Sequence, residues 1–171
     1  SIAQKIKSIL KTPARVAIDA EKALLWLSKF GGILLSPSQC KAIFSSLNQK
    51  ITIITGGPGT GKTTIIRQLA QVFHKKGAEI LFTAPTGRAA NRLAETTGAE
   101  AKTIHRLLEY QPKSNRFQKN ETDLLACDVL VLDEASMIDT PLFHSLVCAL
   151  PAAARLIIVG DADQLPSVGP G

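Results

Sequence analysis

Gly56-Gly57-Pro58-Gly59-Thr60-Gly61-Lys62-Thr63 decides how this chain is read. The stretch meets every fixed position of G-x-x-x-x-G-K-[ST], the Walker A phosphate-loop pattern. A β-branched apolar run, Ile51-Thr52-Ile53-Ile54-Thr55, precedes it, and a helical pattern from Thr64 to Lys75 follows. Strand, glycine loop and helix form the context in which the pattern carries chemistry. Glycines let successive backbone N–H groups converge on one point, and the helix N-terminus behind them adds partial positive charge. Gly57, Gly59, Thr60, Gly61 and Thr64 are the expected phosphate-cradle residues around Lys62. Lys62 is expected to reach the β- and γ-phosphates, and Thr63 to place its hydroxyl on Mg²⁺.

Outward from the loop, three further strand candidates appear: Glu79–Thr83, Asp128–Leu132 and Arg155–Val159. Helical patterns lie between them, at Lys62–Lys75, Arg88–Thr96, Thr103–Tyr110 and Pro141–Leu150. Strands alternating with helices predict an α/β fold, a parallel sheet with helices on both faces, as P-loop NTPases require. Residues 111–121 are polar and read as a loop or small hairpin. The main domain is expected to start at Ser36, where Ser36-Pro37-Ser38-Gln39 has an N-cap serine, a first-turn proline and a capping-box glutamine. Residues 1–35 read as an N-terminal helical segment or linker, two short helices broken near Pro13, the second ended by Gly31-Gly32. The first of these is basic and amphipathic.

A phosphate loop needs an acid to hold Mg²⁺. Val129-Leu130-Val131-Leu132-Asp133-Glu134 supplies one at the end of a buried-type strand. In a parallel sheet, strand C-termini and the phosphate loop share one edge. Asp133 is therefore expected to hold Mg²⁺, and Glu134 to orient and polarise the attacking water.

The chain has 171 residues, 45% of them hydrophobic, and a net charge of +6. That suits one domain with a sizeable core, and its apolar runs are shorter than a membrane span needs. The charge is compatible with a polyanionic partner. Cys40, Cys127 and Cys148 lie far apart, without CxxC or Cys/His spacing, which points to small core residues in a reducing, cytoplasmic compartment.

Taken in order, the motifs resemble RecD-like helicases of superfamily 1, the branch that moves 5′ to 3′ on DNA. Leu35-Ser36-Pro37-Ser38-Gln39 looks like the Q motif, and the phosphate loop like motif I. Thr83-Ala84-Pro85-Thr86-Gly87-Arg88-Ala89-Ala90 resembles motif Ia, and Thr103-Ile104-His105-Arg106-Leu107-Leu108 resembles motif Ib. Asp133-Glu134-Ala135-Ser136-Met137 matches motif II, and Gly160 to Gly171 looks like motif III. The resemblance implies that 36–171 is a RecA-like ATPase domain, a fragment whose second motor domain supplies the arginine completing the ATP site. It implies ATP and Mg²⁺ as cofactors, with Gln39 on adenine. The strand before motif III would lie between the Walker A and Walker B strands, and Gln164 would donate to the γ-phosphate. Thr83, Pro85, Thr86, Arg88, Thr103 and His105 would contact single-stranded DNA. The parent protein would serve recombination or repair, alone or within a nuclease complex, with no membrane partner. An RNA helicase of the same superfamily, and a P-loop ATPase that does not act on nucleic acid, stand as alternatives.

Overall fold

The computed structural model describes residues 1–56 and 61–161. In chain order the elements are α1 (Ile2–Lys11), α2 (Ala20–Phe30), α3 (Pro37–Asn48), β1 (Ile51–Thr55), α4 (Lys62–Lys75), β2 (Ile80–Ala84) and α5 (Gly87–Thr97). There follow β3 (Ala101–Thr103), α6 (Ile104–Leu107), β4 (Tyr110–Gln111), β5 (Arg116–Phe117), β6 (Val129–Leu132), α7 (Thr140–Cys148) and β7 (Arg155–Gly160).

Five strands form one sheet in the order β1-β7-β6-β2-β3, and every neighbouring pair is parallel. The apolar runs of β6 and β7 follow from burial on both faces. Val129, Val131, Ile157 and Val159 point into one core with Leu27, Ile43, Leu69 and Phe73 of α2, α3 and α4. Leu130, Leu132 and Leu156 point the other way, against Ile9, Ile104, Leu146 and Val147 of α1, α6 and α7. Helices therefore cover both faces, as the alternation of strands and helices predicts. β7, which leads into the motif III stretch, lies between β1 and β6.

Two sequence expectations change. The stretch 103–110 is not one helix: Thr103 ends β3, α6 lasts one turn, and Tyr110 begins the β4–β5 hairpin. Glu109 takes a left-handed φ of 55°, which no α-helix can continue through. β3 is a fifth strand that the apolar pattern did not contain, because Ala101-Lys102-Thr103 has no hydrophobic run.

Residues 1–35 pack on this sheet. Ile9 is fully buried in one core, and Ala20, Ala23 and Leu27 in the other. Lys50 donates to the carbonyls of Ile9 at 2.9 Å, Thr12 at 2.7 Å and Ala152 at 2.6 Å. Buried Arg155 donates to Leu47, Gln49 and Val16 carbonyls. Neither cation has a carboxylate partner among the described residues; backbone carbonyls take that place, those of Ile9, Thr12, Leu47 and Gln49 at the C-terminal ends of α1 and α3, where partial negative charge collects.

Candidate active site and nucleic-acid interface

Because every strand of the sheet runs the same way, all five C-termini meet at one edge. Along that edge the order is Gly61-Lys62 beyond β1, Gly160 ending β7, Asp133-Glu134 beyond β6, Pro85-Thr86 beyond β2, and Thr103 to His105 at the end of β3. At about 4.8 Å per strand, the lysine end and the His105 end stand roughly 19 Å apart.

Lys62 opens α4, and its ammonium donates to the Gly56 carbonyl at 2.7 Å and the Gly160 carbonyl at 3.1 Å. It thus bridges the ends of the two neighbouring strands. Gly61 has φ of 80°, a left-handed turn that glycine adopts without strain. Thr63 is exposed and Thr64 half-buried in the first turn of α4. Gly57, Gly59 and Thr60, and Gln164 of motif III, lie outside the described residues.

Gln39 sits in the first turn of α3. Its Oε1 accepts from Ser36 N at 2.9 Å, while Ser36 Oγ accepts from Gln39 N at 3.2 Å, a complete capping box. The other end of its amide, Nε2, lies against Gly61, and so reaches the phosphate loop.

Asp133 is held at the end of β6 by its own N–H, which donates to the Thr83 carbonyl at 2.9 Å. One carboxylate oxygen accepts from Glu134 N at 2.8 Å. Burial raises the Asp133 pKa; the Glu134 N–H and the Lys62 and Arg92 charges pull it back, while the Glu134 carboxylate adds to the rise. Glu134 has φ of 55°, a conformation non-glycine residues seldom adopt, followed by a single 3-10 turn, Ala135–Met137. Two buried hydroxyls, Thr83 Oγ1 on β2 and Ser136 Oγ within this turn, have no hydrogen-bond partner among the described residues. Unsatisfied buried polar groups of this kind are uncommon. The second Asp133 carboxylate oxygen, which accepts no hydrogen bond among the described residues, and the Ser136 hydroxyl three residues on suit a hydrated cation.

The motif Ia and Ib residues divide. Thr86 caps α5, its hydroxyl accepting from Ala89 N at 3.2 Å, and Arg88 is exposed in the first turn. Pro85 is half-buried between them and the strand. Thr103 caps α6 by accepting from Arg106 N, and His105 is exposed. Thr83 corrects the sequence reading: it is fully buried, as a residue within a doubly covered parallel strand should be, and its side chain is closed to a DNA strand on the surface.

Two features have a setting that the sequence alone does not show. Arg92, one helical turn beyond Arg88, lies close enough for its charge to act on Asp133. Their i, i+4 spacing on α5 was the available signal. His105 packs against Tyr110 at 5.4 Å and Phe117 at 5.6 Å between ring centroids, and those two pack on each other at 5.4 Å. No local pattern announces that trio, because the β4–β5 hairpin brings it together.

A family model described as an AAA domain matches residues 39–170. The chain is 39% identical over 171 residues to the ATP-dependent RecD2 DNA helicase of Deinococcus radiodurans, covering 99% of this chain and 23% of that protein. It is 40% identical over 156 residues to the RecBCD enzyme subunit RecD of Mycobacterium tuberculosis, covering 78% and 27% respectively. Thus it spans about a quarter of the length of these curated relatives. Among solved structures, Bacteroides Pif1 bound to ssDNA is similar in fold, with a TM-score of 0.56 and 24% identity over 80% of this chain and 34% of that one. The chain belongs to the AAA-domain family, and within it to the RecD-like motor domains of superfamily 1 helicases.

Proposed function

We propose that this chain is the ATP-binding and hydrolysing motor domain of a DNA helicase that translocates on single-stranded DNA, 5′ to 3′, in recombination or repair. The observation that carries the reading is the shared sheet edge, with Lys62, Asp133 and Glu134 at one end and Thr86, Arg88, Thr103 and His105 at the other. Nucleotide chemistry and strand contact then sit on one rigid layer.

Phosphoryl transfer asks the protein mainly to position groups and balance charge. Lys62 would exchange two neutral carbonyls for the β- and γ-phosphates. Thr63 and the open oxygen of Asp133 would hold Mg²⁺, which when bound neutralises charge on the phosphate oxygens. Glu134 would orient and polarise water for in-line attack. Its left-handed backbone turns the chain away from Asp133, so the two adjacent acids can take separate tasks. Gln39 would meet adenine, and Gln164 would sense the γ-phosphate.

Hydroxyls, arginine and helix N-termini are the usual partners of nucleic-acid phosphates. Thr86, Arg88 and Thr103 fit that role, with Pro85 against a sugar or base and exposed His105 at the edge of its aromatic trio. A second motor domain of the same polypeptide would complete the ATP site with an arginine. RecD is by name a RecBCD subunit in several relatives, so assembly into a recombination nuclease belongs to the same proposal.

The test is ATP turnover by the full-length polypeptide with single-stranded DNA, duplex DNA, RNA or nothing, and with Lys62→Ala as blank. Stimulation by single-stranded DNA supports the reading. Turnover indifferent to all nucleic acids rejects it, and stronger stimulation by RNA replaces it with an RNA motor.

A further inference from the structure

We propose that a cleft between α2 and α4 docks an acidic peptide segment of a partner protein, one that presents a large apolar side chain flanked by carboxylates. The cleft has a volume of about 240 Å³, room for a single large side chain. Its floor is apolar, made by buried Ala23 and Val72, and the Trp26 ring forms one wall. Lys22, Lys75 and Lys76 form the rim with Asp19. All three lysines are exposed, and none makes an ion pair among the described residues. The apolar surface continues past the cleft through Phe30, whose ring centroid lies 6.0 Å from that of Trp26 and which is 68% exposed.

A hydrophobic pocket ringed by unpaired ammonium groups selects against neutral and basic chains and for acidic ones. Tryptophan supplies a large contact area together with an indole N–H that has no acceptor among the described residues, a donor for a peptide carbonyl or carboxylate. Asp19 caps α2 with one oxygen, accepting from Lys22 N at 3.2 Å. Its other oxygen can take a peptide N–H, a donor that a sugar–phosphate backbone does not offer. Position argues the same way. The cleft lies at the C-terminal end of α4, whereas the phosphate loop lies at its N-terminal end. Fourteen helical residues separate the two, about 21 Å at 1.5 Å each. Every strand end proposed to meet nucleic acid is on the loop side. Arginine and tryptophan anchors in small pockets are the common core of such interfaces, and here tryptophan plays that part.

Trp26 is the chain's one tryptophan, so its fluorescence reports the site directly. The 171-residue chain is titrated with an acetylated hexapeptide containing five acidic residues and one phenylalanine. A saturable blue shift is expected, weakened at least tenfold by Lys75→Glu with Lys76→Glu, and abolished when the peptide's phenylalanine becomes serine. Both lysines are exposed but close α4, where carboxylates oppose the helix dipole, so the variant is expected to melt slightly below the wild type while staying folded at the assay temperature; Lys75→Gln with Lys76→Gln, free of that cost, should weaken the shift as well. No saturable shift, or equal binding of a peptide with lysines for its acids, overturns the proposal. An oligothymidylate that binds better than the peptide and loses its shift in the same variant overturns it in favour of a nucleic-acid site.

Discussion

The Gln39 side chain ends where a Cβ on Gly61 would have to stand. The glycine combines φ of 80° with that close approach, so both its freedom and its lack of a side chain are used. Gly61→Ala therefore meets two obstacles. The left-handed conformation costs about 1–2 kcal/mol for a residue with a Cβ, and the Gln39 amide has to leave its capping position. Urea unfolding should show a loss of that size. Binding of a fluorescent ATP analogue should fall at least tenfold, because Gly61 donates the turn that aims Lys62. An unchanged midpoint would show that the phosphate loop does not hold this conformation in solution.

Lys50 makes a prediction about the N-terminal segment. Its three carbonyl contacts join the end of α1, the turn after it and the loop before β7. Burial lowers the lysine's pKa, and the nearby Arg155 charge lowers it further, so the ammonium is costly to keep there. Hydrogen bonds to a charged donor return about 1.5–3 kcal/mol each. Lys50→Met removes both the cost and the bonds, leaving carbonyls without a donor, and a net loss of about 2–4 kcal/mol is expected. Hydrogen exchange should show α1 amides losing protection before those of β6 and β7. Equal loss across the whole sheet would mean that Lys50 stabilises the core without tying down α1 in particular.

What was legible in the sequence follows from how local the cause is. The bounds of β1 and α4 could be read directly, because a β-branched run, a glycine loop and a helical period succeed one another without ambiguity. The Ser36–Gln39 cap was legible for the same reason. Ile104, Leu107 and Leu108 do keep helical spacing, but the reversal at Glu109 is a backbone choice that no apolar pattern encodes. Thr83 was misread because a hydroxyl near a motif looks available, and only the two covering layers reveal that it is buried. Lys50 and Arg155 gave no signal at all, since their acceptors come from segments far away in the chain.

Cys127 precedes the buried Asp128 at the entry to β6, and burial with that neighbouring charge pushes its thiol up to about 12. Only the thiolate is nucleophilic, so about one Cys127 in 10⁴ is reactive at pH 8. Alkylation of the native chain, followed by mass spectrometry of the Cys127 peptide, should show a rate rising about tenfold per pH unit from pH 7 to 10. A plateau near pH 9, where an ordinary thiol of pKa about 8.5 is mostly ionised, would contradict this environment.

Asp133 yields the pH dependence that bears most directly on the site. Burial raises its pKa in the folded chain above the usual value of 3.8, against the partial relief given by the Glu134 N–H, Lys62 and Arg92. A raised folded value means the folded state holds the proton more firmly than the unfolded one. The associated stabilisation is therefore complete below about pH 3.8 and is lost as pH climbs through the raised value. Asp133→Asn keeps the shape and carries no charge at any pH, so other carboxylates cancel when the two proteins are compared. In metal-free buffer the asparagine variant should gain on the wild type as pH rises from 3.5 towards 7, with the difference in urea midpoints levelling off once Asp133 is ionised. The same variant should bind the ATP analogue with less benefit from Mg²⁺, because it lacks the anionic oxygen proposed to hold the ion. A midpoint difference that does not move with pH would mean that Asp133 is solvated in the folded chain. Its carboxylate would then be too well hydrated to stand poised for a cation.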